Sequence, residues 1–142
     1  VPGRMRTVRS LLTFLALFSD AIMEVVIVCS TNEPFSEGQR EYLEQAGLKL
    51  RLSRSLNDTL PDMDIVYINA IAWVGDSYEE HGLEYRLDGN SKLKKDAIIL
   101  HPLARGEELS TELDSTPHNW YFAQARGAVF MRMAILSNLM RF

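Results

Sequence analysis

Two periodicities alternate along the chain, and together they predict its elements. Short apolar runs, rich in β-branched residues and bounded by turn residues, are typical of strands; four occur, at residues 24–30, 48–53, 64–70 and 96–102. Segments with helical features come before, between and after these strands. The first has Val8, Leu11, Leu12 and Leu15 at helical spacing, and the second covers about three turns from Ser36 to Gly47. A single turn is predicted within residues 55–64, and a last helix from about His118 to Met140. This alternation, without hairpin dipeptides, predicts an α/β fold: a Rossmann-like parallel sheet of about four strands with helices on both faces.

The last helix has an apolar face that predicts packing against a core. Five large hydrophobic side chains share one side of it: Phe122, Val129, Met133, Leu136 and Met140. Residues three, four or seven positions apart lie on the same face of a helix, so we expect this face to be buried.

The beginning of the chain supports two interpretations. The stretch "GRMRTVRSLLTFLALFSDA" has arginines followed by an apolar octet, as a secretory signal does. An acidic residue follows the octet and no small-x-small cleavage site is evident, so an amphipathic helix is the favoured interpretation. Because the sequence starts with Val1 rather than Met, we expect it to be part of a longer protein.

The composition is that of an ordinary globular protein. The 142 residues are 46% hydrophobic and 24% charged, with a formal net charge of -4, and they suffice for one compact domain. No basic cluster favours nucleic acid or a membrane surface. The single cysteine, Cys29, excludes an internal disulfide and is expected to be a buried strand thiol rather than a catalytic one. A reducing, cytoplasmic location fits this cysteine usage.

Ligands of open parallel sheets bind outside the carboxyl ends of the strands, so three strand ends are of interest. They read "CSTNEP", "INAIAWVGD" and "HPLARGEE". Neither G-x-G-x-x-G nor G-x-x-x-x-G-K-[ST] occurs in the sequence, so the phosphate cradle of a nucleotide site is missing. His81 and His101 lack helical partner ligands, and the acids of residues 107–118 are scattered. We therefore expect no metal and no cofactor.

The third of these ends carries the most specific pattern. Pro102 has no N–H to lose from a strand ladder, and the carbonyls of Pro102 and Leu103 are expected to lack strand partners. An amine nucleophile would supply donors to them. Arg105 has the geometry to bind a carboxylate or phosphate through two hydrogen bonds. The alternative is a plain strand end with a solvated arginine.

Two further segments are candidates for ligand binding. Arg4, Arg6 and Arg9 lie where the first helix begins, and its free N–H groups add to an environment that favours anions, so Arg6 and Thr7 are predicted to hold a carboxylate. Residues 70–95 form a long irregular segment after the third strand. It is predicted to be a lid or substrate loop, or else a helical excursion without such a role.

Three motifs in register resemble the second domain of the aspartate carbamoyltransferase family. "RTVRSL", "HPLARGEEL" and "DSTPHNWYFAQARGAVFMRMAIL" are similar to the family's R-T-V-H-S-L, H-P-L-P-R-x-x-E-I and D-x-x-P-x-x-x-Y-F-x-Q-A-x-N-G-x-x-x-R-x-A-L-L. Their order and spacing agree over residues 6–140. The resemblance is strong for the family and weaker for the substrate.

The resemblance implies an activity and a role for each site residue. These enzymes act in pyrimidine biosynthesis, transferring the carbamoyl group of carbamoyl phosphate to an amino acid's amine without a cofactor, as homotrimers. Arg6 would pair with the acceptor's α-carboxylate, with Thr7 beside it. The carbonyls of Pro102 and Leu103 would orient the amine, and Arg105 would fix the shape of that loop. Residues 1–142 would be the amino-acid-binding domain, without the upstream carbamoyl-phosphate domain.

Two departures from the family pattern leave the acceptor open. The family's T-R-x-Q, which grips the substrate, corresponds to Asn69-Ala70-Ile71-Ala72, and Ala104 replaces the proline before the arginine. The ornithine branch shows H-C-L-P, which "HPLA" does not match. Two alternatives to an active enzyme remain: a catalytically inactive homologue that serves as an assembly or regulatory subunit, and an unrelated Rossmann-like binding module.

Overall fold

The structure of the protein is a computed structural model, and it describes residues 6–69 and 83–140. Its helices are α1 (Arg6–Leu15), α2 (Gln39–Gln45), α3 (Leu56–Thr59) and α4 (Tyr121–Leu139), and its strands are β1 (Val25–Val28), β2 (Leu50–Ser53), β3 (Ile65–Tyr67) and β4 (Ile98–Leu100). Short 3-10 helices cover Ala16–Ala21, Leu60–Asp62, Leu83–Tyr85 and Thr111–Ser115. The predicted order of strands and helices is confirmed.

The chain divides into two compact units, Val1–Thr59 and Leu60–Phe142, and each contains one pair of parallel strands. In the first unit β1 pairs with β2, with Val25 opposite Leu50; in the second β3 pairs with β4, with Ile65 opposite Ile98. The α/β class and the parallel pairing are confirmed. Within residues 6–69 and 83–140 the predicted sheet of about four strands is corrected to two sheets of two, because the backbone ladders there pair β1 with β2 and β3 with β4.

The core of the first unit forms between α1, β1 and α2. It consists of buried Leu12, Ala16, Ile27, Cys29, Leu43 and Leu48, with Val8 and Leu15 packed against it. The amphipathic interpretation of the first helix is therefore confirmed. Within β1 only Ile27 is buried, so the strand is less enclosed than its apolar run predicted. Cys29 is buried, its thiol donates to the carbonyl of Thr31 across 3.3 Å, and burial raises its pKa. The predicted inert strand thiol fits this environment.

Helix α2 begins three residues later than predicted because Gly38 precedes it in a left-handed conformation, with φ 69°. Ser36 stays outside the helix, where its N–H and hydroxyl donate to the side-chain carbonyl of Gln39. The amide of Gln39 donates in turn to the carbonyl of Arg9, which ties α2 to α1. The helix ends before Gly47, as predicted, and Gly47 has φ 94°.

The core of the second unit surrounds β4. Buried hydrophobic residues in this unit are Leu60, Val66, Leu87, Ala97, Ile99, Leu109, Leu113 and Tyr121. Isolated parallel bridges join Leu87 to Leu109 and Ile99 to Asn119, so the residues that follow β4 return along it. This packing fixes both ends of the segment between β4 and α4.

The predicted core face of the last helix is wrong for this chain. Phe122, Val129, Met133, Leu136 and Met140 are between 48% and 72% exposed, and no residue of α4 after Tyr121 is buried. Phe130, Met131, Ile135 and Leu139 are exposed as well. The helix is apolar on every side, so periodicity does not select a face. No helix in residues 6–69 or 83–140 is long and apolar enough to cross a membrane.

Candidate functional site

The residues predicted to bind substrate lie in two groups, one in each unit. Arg6 and Thr7 form the first turn of α1, with exposed side chains. Pro102, Leu103 and Arg105 follow β4, in a segment that we call the strand-end loop (residues 101–108). Arg4, which the sequence placed beside Arg6, lies outside the described residues.

The strand-end loop presents two carbonyl groups that accept no hydrogen bond from the described residues. Across the described ranges, no residue donates a hydrogen bond to the carbonyl oxygen of Pro102 or Leu103. Leu103 has φ 62°, which is rare for a side chain branched at Cγ, and its N–H donates to Nδ1 of His101 across 2.8 Å. Two acceptors at the end of a parallel strand are therefore available to an external donor such as an amine.

His101 and Glu108, the first and last residues of the strand-end loop, form a buried pair. Each is only 1% exposed, and Nε2 of His101 lies 3.0 Å from Oε1 of Glu108. The same oxygen accepts from the N–H of Gly106 across 2.7 Å. Burial lowers the pKa of His101, and this effect outweighs the opposing one of Glu108. The imidazole is therefore neutral at neutral pH.

Arg105 has an internal carboxylate partner. Its Nη1 and Nη2 donate to the two carboxylate oxygens of Asp114 across 2.6 and 3.2 Å, and the hydroxyl of Tyr121 donates to Oδ1 of Asp114 across 2.6 Å. The hydrogen bond from Arg105 lowers the pKa of Asp114, while burial and the bond to Asp114 raise that of Tyr121. The guanidinium lies 6.0 Å from the centroid of the Tyr121 ring. This geometry suits fixing the loop's shape more than gripping a ligand.

Four residues that stabilise the strand-end loop were not predicted from the sequence. Glu108, Asp114, Tyr121 and Gln124 hold the loop, the last by accepting the N–H of His101 across 2.9 Å. They lie between 7 and 23 residues from these partners, and no pair belongs to a single helix or strand, so helical and strand spacing rules do not apply to them. The signal available was a histidine and an arginine at a strand end, followed closely by acids.

The residues that correspond to T-R-x-Q, 69–72, begin at the last described residue before a gap. Asn69 is half-buried and has interactions of its own. Ala70, Ile71 and Ala72, and the predicted lid as far as residue 82, lie outside the described residues. The rest of that segment holds a 3-10 turn at Leu83–Tyr85 and an exposed ion pair between Lys94 and Asp64.

Replacing Gly106 with alanine is expected to destabilise the second unit by about 1–3 kcal/mol. A β-carbon at this position would lie 2.8 Å from Oε2 of Glu108, whose buried carboxylate is held by hydrogen bonds to His101 and to the N–H of Gly106. Urea unfolding of the variant measures the loss. The matched control is Gly127→Ala on α4, where a β-carbon meets no atom within 4 Å and helix propensity favours alanine by about 1 kcal/mol. Equal changes in the two variants would count against close packing at Gly106.

Acidification is expected to weaken folding through His101. The pKa of His101 is lowered in the folded state, so the unfolded state binds more protons in the window that begins near the ordinary value of about 6.5 and extends downward. The stabilisation is complete above that window and is lost as pH falls through the lowered pKa. Urea midpoints measured at about pH 7.5 and pH 5.5 should differ more for the natural chain than for His101→Gln. An identical pH response in both would remove His101 as the cause.

Comparisons with a family model and with known proteins agree on one family. The family model described as aspartate/ornithine carbamoyltransferase, Asp/Orn binding domain, matches residues 2–139. The aspartate carbamoyltransferase catalytic subunit of Alkaliphilus oremlandii is 34% identical, over 95% of this chain and 42% of its own length. That of Sulfurisphaera tokodaii is 35% identical, over 94% of this chain and 45% of its own.

Solved structures agree with the sequence matches. Aspartate transcarbamoylase from Trypanosoma cruzi, in complex with carbamoyl aspartate and phosphate, superposes with a TM-score of 0.82 and 29% identity, over 96% of this chain and 46% of that one. A putative aspartate carbamoyltransferase from Leishmania major has a TM-score of 0.82 at 28% identity, over 95% and 46% of the two chains. The chain thus spans less than half the length of these relatives, and an unrelated binding module is excluded. The chain belongs to the aspartate/ornithine carbamoyltransferase family, within its Asp/Orn binding domain.

Proposed function

We propose that residues 1–142 are the amino-acid-binding domain of an aspartate-type carbamoyltransferase, which holds the acceptor while carbamoyl phosphate is bound by a domain upstream. The reaction forms a C–N bond between the acceptor's amine and the carbamoyl carbon, breaks the C–O bond to phosphate, and releases phosphate with that electron pair and a proton from the amine. The T. cruzi relative was solved with carbamoyl aspartate and phosphate, the products of such a transfer.

The pair of unpartnered carbonyls at Pro102 and Leu103 is the observation that carries this proposal. An amine donates its N–H groups to them, and its lone pair then points in a defined direction. The shape of the loop is held by the hydrogen bonds of His101 with Glu108 and Leu103, and by that of Arg105 with Asp114. Holding a nucleophile in one orientation supplies a large part of the catalysis of a bimolecular transfer.

Arg6 and Thr7 supply the second anchor in this proposal. They occupy the first turn of α1, where the helix dipole favours an anion, and this turn contains no acidic residue to compete. Arg6 binds the α-carboxylate of the acceptor and Thr7 stands beside it. A carboxylate anchor of this kind favours an amino acid as the acceptor.

The remaining groups are proposed to belong to the upstream domain: those that polarise the carbamoyl carbonyl and hold the phosphate. The exposed apolar surface of α4 supports an incomplete unit, because large exposed apolar patches mark surfaces that are covered by another part or partner. Residues 1–142 alone are therefore expected to be inactive. A homotrimer and a cytoplasmic location complete the proposal, with neither nucleic acid nor membrane as partner.

A second candidate rests on the sequence at Asn69-Ala70-Ile71-Ala72. Without the arginine and glutamine of T-R-x-Q, the side-chain carboxylate of aspartate loses its main partners, at a cost of about 2–5 kcal/mol for a desolvated group. Either the acceptor is a less charged amino acid, or the protein is an inactive homologue that serves as an assembly or regulatory subunit.

A carbamoylation assay separates these outcomes. The full-length protein is incubated with ¹³C-labelled carbamoyl phosphate and, one at a time, with aspartate, asparagine, ornithine and neutral amino acids, and the ureido carbon of the product is followed by NMR. The proposed function predicts a product with at least one amino acid. Folded protein that yields none with the whole panel supports the inactive homologue.

A further inference from the structure

Leu103 holds a backbone conformation that needs support. Its φ of 62° is the only positive value at a non-glycine residue across the described ranges. In this region the β-carbon crowds the backbone, so the conformation persists only where its surroundings impose it. The N–H of Leu103 donates to Nδ1 of His101 across 2.8 Å. His101 therefore acts on the backbone that presents one of the two free carbonyls.

The hydrogen bonds define the tautomer of His101. A backbone N–H always donates, so Nδ1 must carry a lone pair, and the proton of the neutral ring lies on Nε2. Nε2 then donates to Oε1 of Glu108, 3.0 Å away. A ring protonated at both nitrogens would set N–H against N–H at Leu103. The loop thus requires one tautomer of the neutral imidazole.

Glu108 is itself fixed by its neighbours. Its Oε1 also accepts the N–H of Gly106, and its backbone carbonyl accepts the N–H of Leu87 across 2.8 Å. The side chain is almost completely buried, and its hydrogen bonds to His101 and Gly106 hold the carboxylate in place. Its carboxylate therefore sets the orientation of the imidazole, as an outer carboxylate does for other functional histidines.

The charged groups that act on the imidazole are few. Glu108 approaches it from the same loop, and Arg105 lies close enough to favour the neutral ring. The charge of Arg105 is balanced by Asp114, which also accepts the hydroxyl of Tyr121 from α4. From α4, Gln124 contributes only a neutral amide, to the backbone of His101. Neither His101 nor Glu108 reaches the surface, so neither is placed to touch substrate.

We infer that His101 and Glu108 are positioning residues: Glu108 holds the Nε2–H tautomer of His101, whose Nδ1 holds Leu103 in its left-handed conformation and so aims the carbonyls of Pro102 and Leu103 at the acceptor amine. This inference rests on the proposed function for what the carbonyls bind. The hydrogen-bond chain itself can be tested without any reaction.

Two conservative variants separate the two ends of the imidazole. In His101→Asn the side-chain oxygen occupies the place of Nδ1, so an acceptor for Leu103 is kept and the donor to Glu108 is lost. In His101→Gln the amide reaches toward Glu108, and the acceptor for Leu103 is lost. His118→Asn is the matched control, because the His118 side chain contacts the carbonyl of Ala97 through Nδ1 and, among the described residues, forms no hydrogen bond with the loop.

Amide hydrogen exchange of Leu103 in the 142-residue chain is the first measurement. Loss of one buried hydrogen bond is expected to speed exchange about tenfold in His101→Gln, while His101→Asn and His118→Asn stay close to the natural chain. Ring ¹⁵N shifts should show the Nε2–H tautomer of His101 at neutral pH. The Nδ1–H tautomer, or equal exchange in the Asn and Gln variants, overturns the inference.

Kinetics of the full-length protein test whether His101 and Glu108 help to orient the acceptor amine. His101→Gln should lower kcat at least about tenfold more than His101→Asn, with KM for the amino acid little changed because the carboxylate anchor is intact. The acidic limb of the kcat profile should weaken in His101→Asn and persist in His118→Asn. Equal kcat values in the two His101 variants contradict positioning, whereas an inactive natural protein contradicts the proposed function instead.

Discussion

Replacing Arg6 with alanine is expected to lower kcat/KM for the acceptor amino acid by about a hundredfold or more in the full-length protein. In the proposed complex the bound acceptor covers the guanidinium of Arg6; truncating one partner of such a hydrogen-bonded charge pair costs about 2–5 kcal/mol, and each 1.4 kcal/mol is a factor of ten. Arg6 is exposed in the first turn of α1 and is not needed for the core, so the fold should survive. Steady-state kinetics with the amino acid as variable substrate measure the effect.

The control for Arg6 is another arginine of the same unit. Arg40 on α2 is exposed and pairs with Glu44 at the next turn, an interaction worth about 0.5 kcal/mol or less. Arg40→Ala should leave kcat/KM unchanged, and unfolding curves should show both variants folded. Unchanged kinetics in Arg6→Ala would remove Arg6 from the site.

Truncating Ile99 to alanine is expected to destabilise the second unit by about 2–5 kcal/mol. Ile99 lies at the centre of β4, is fully buried, and bridges to Asn119. Alanine leaves a cavity whose walls cannot collapse fully, because Ile99 is held in the ladder with β3 and at the bridge. The midpoint of urea unfolding in the 142-residue chain should fall accordingly. The strand-end loop starts two residues later and should lose its order at a lower urea concentration.

The matched position for this truncation is Ile65, on the partner strand. Ile65 is 59% exposed, so Ile65→Ala removes the same atoms from a site largely in water and should change stability by about 0.5 kcal/mol or less. Similar losses at Ile65 and Ile99 would show that strand propensity, rather than burial, governs the effect.

The spacing of apolar residues predicted where helices and strands occur more reliably than it predicted which of their side chains are buried. The spacing of Val8, Leu12 and Leu15 predicted a helix that packs on a core, and it does so because one face is apolar and the other polar. The start of α2 was misplaced because the left-handed conformation of Gly38 is invisible to periodicity. In α4 apolar residues occur on every side, so the sequence pattern predicted the helix correctly but did not predict which of its faces is buried.

The candidate site likewise combines features that the local sequence predicts with contacts that depend on tertiary packing. Pro102 marked a strand end through local chemistry, since a proline has no N–H to donate to a strand ladder. The side chains that hold the loop depend on tertiary packing: Asp114 meets Arg105 from nine residues away, and Gln124 meets His101 from twenty-three. Turns of irregular geometry separate these partners, so no spacing rule in the sequence pairs them.

The carbonyl resonance of Pro102 tests the central claim most directly. Pro-Leu occurs once in this chain, so ¹³C-carbonyl proline combined with ¹⁵N-leucine selects a single peptide group from it. The full-length protein is titrated with phosphate and the carbamoyl amino acid that the assay yields. A hydrogen bond from the ligand's nitrogen to this carbonyl predicts a saturable change in its shift. Saturation of the site by ligand with no change at Pro102 would contradict the account.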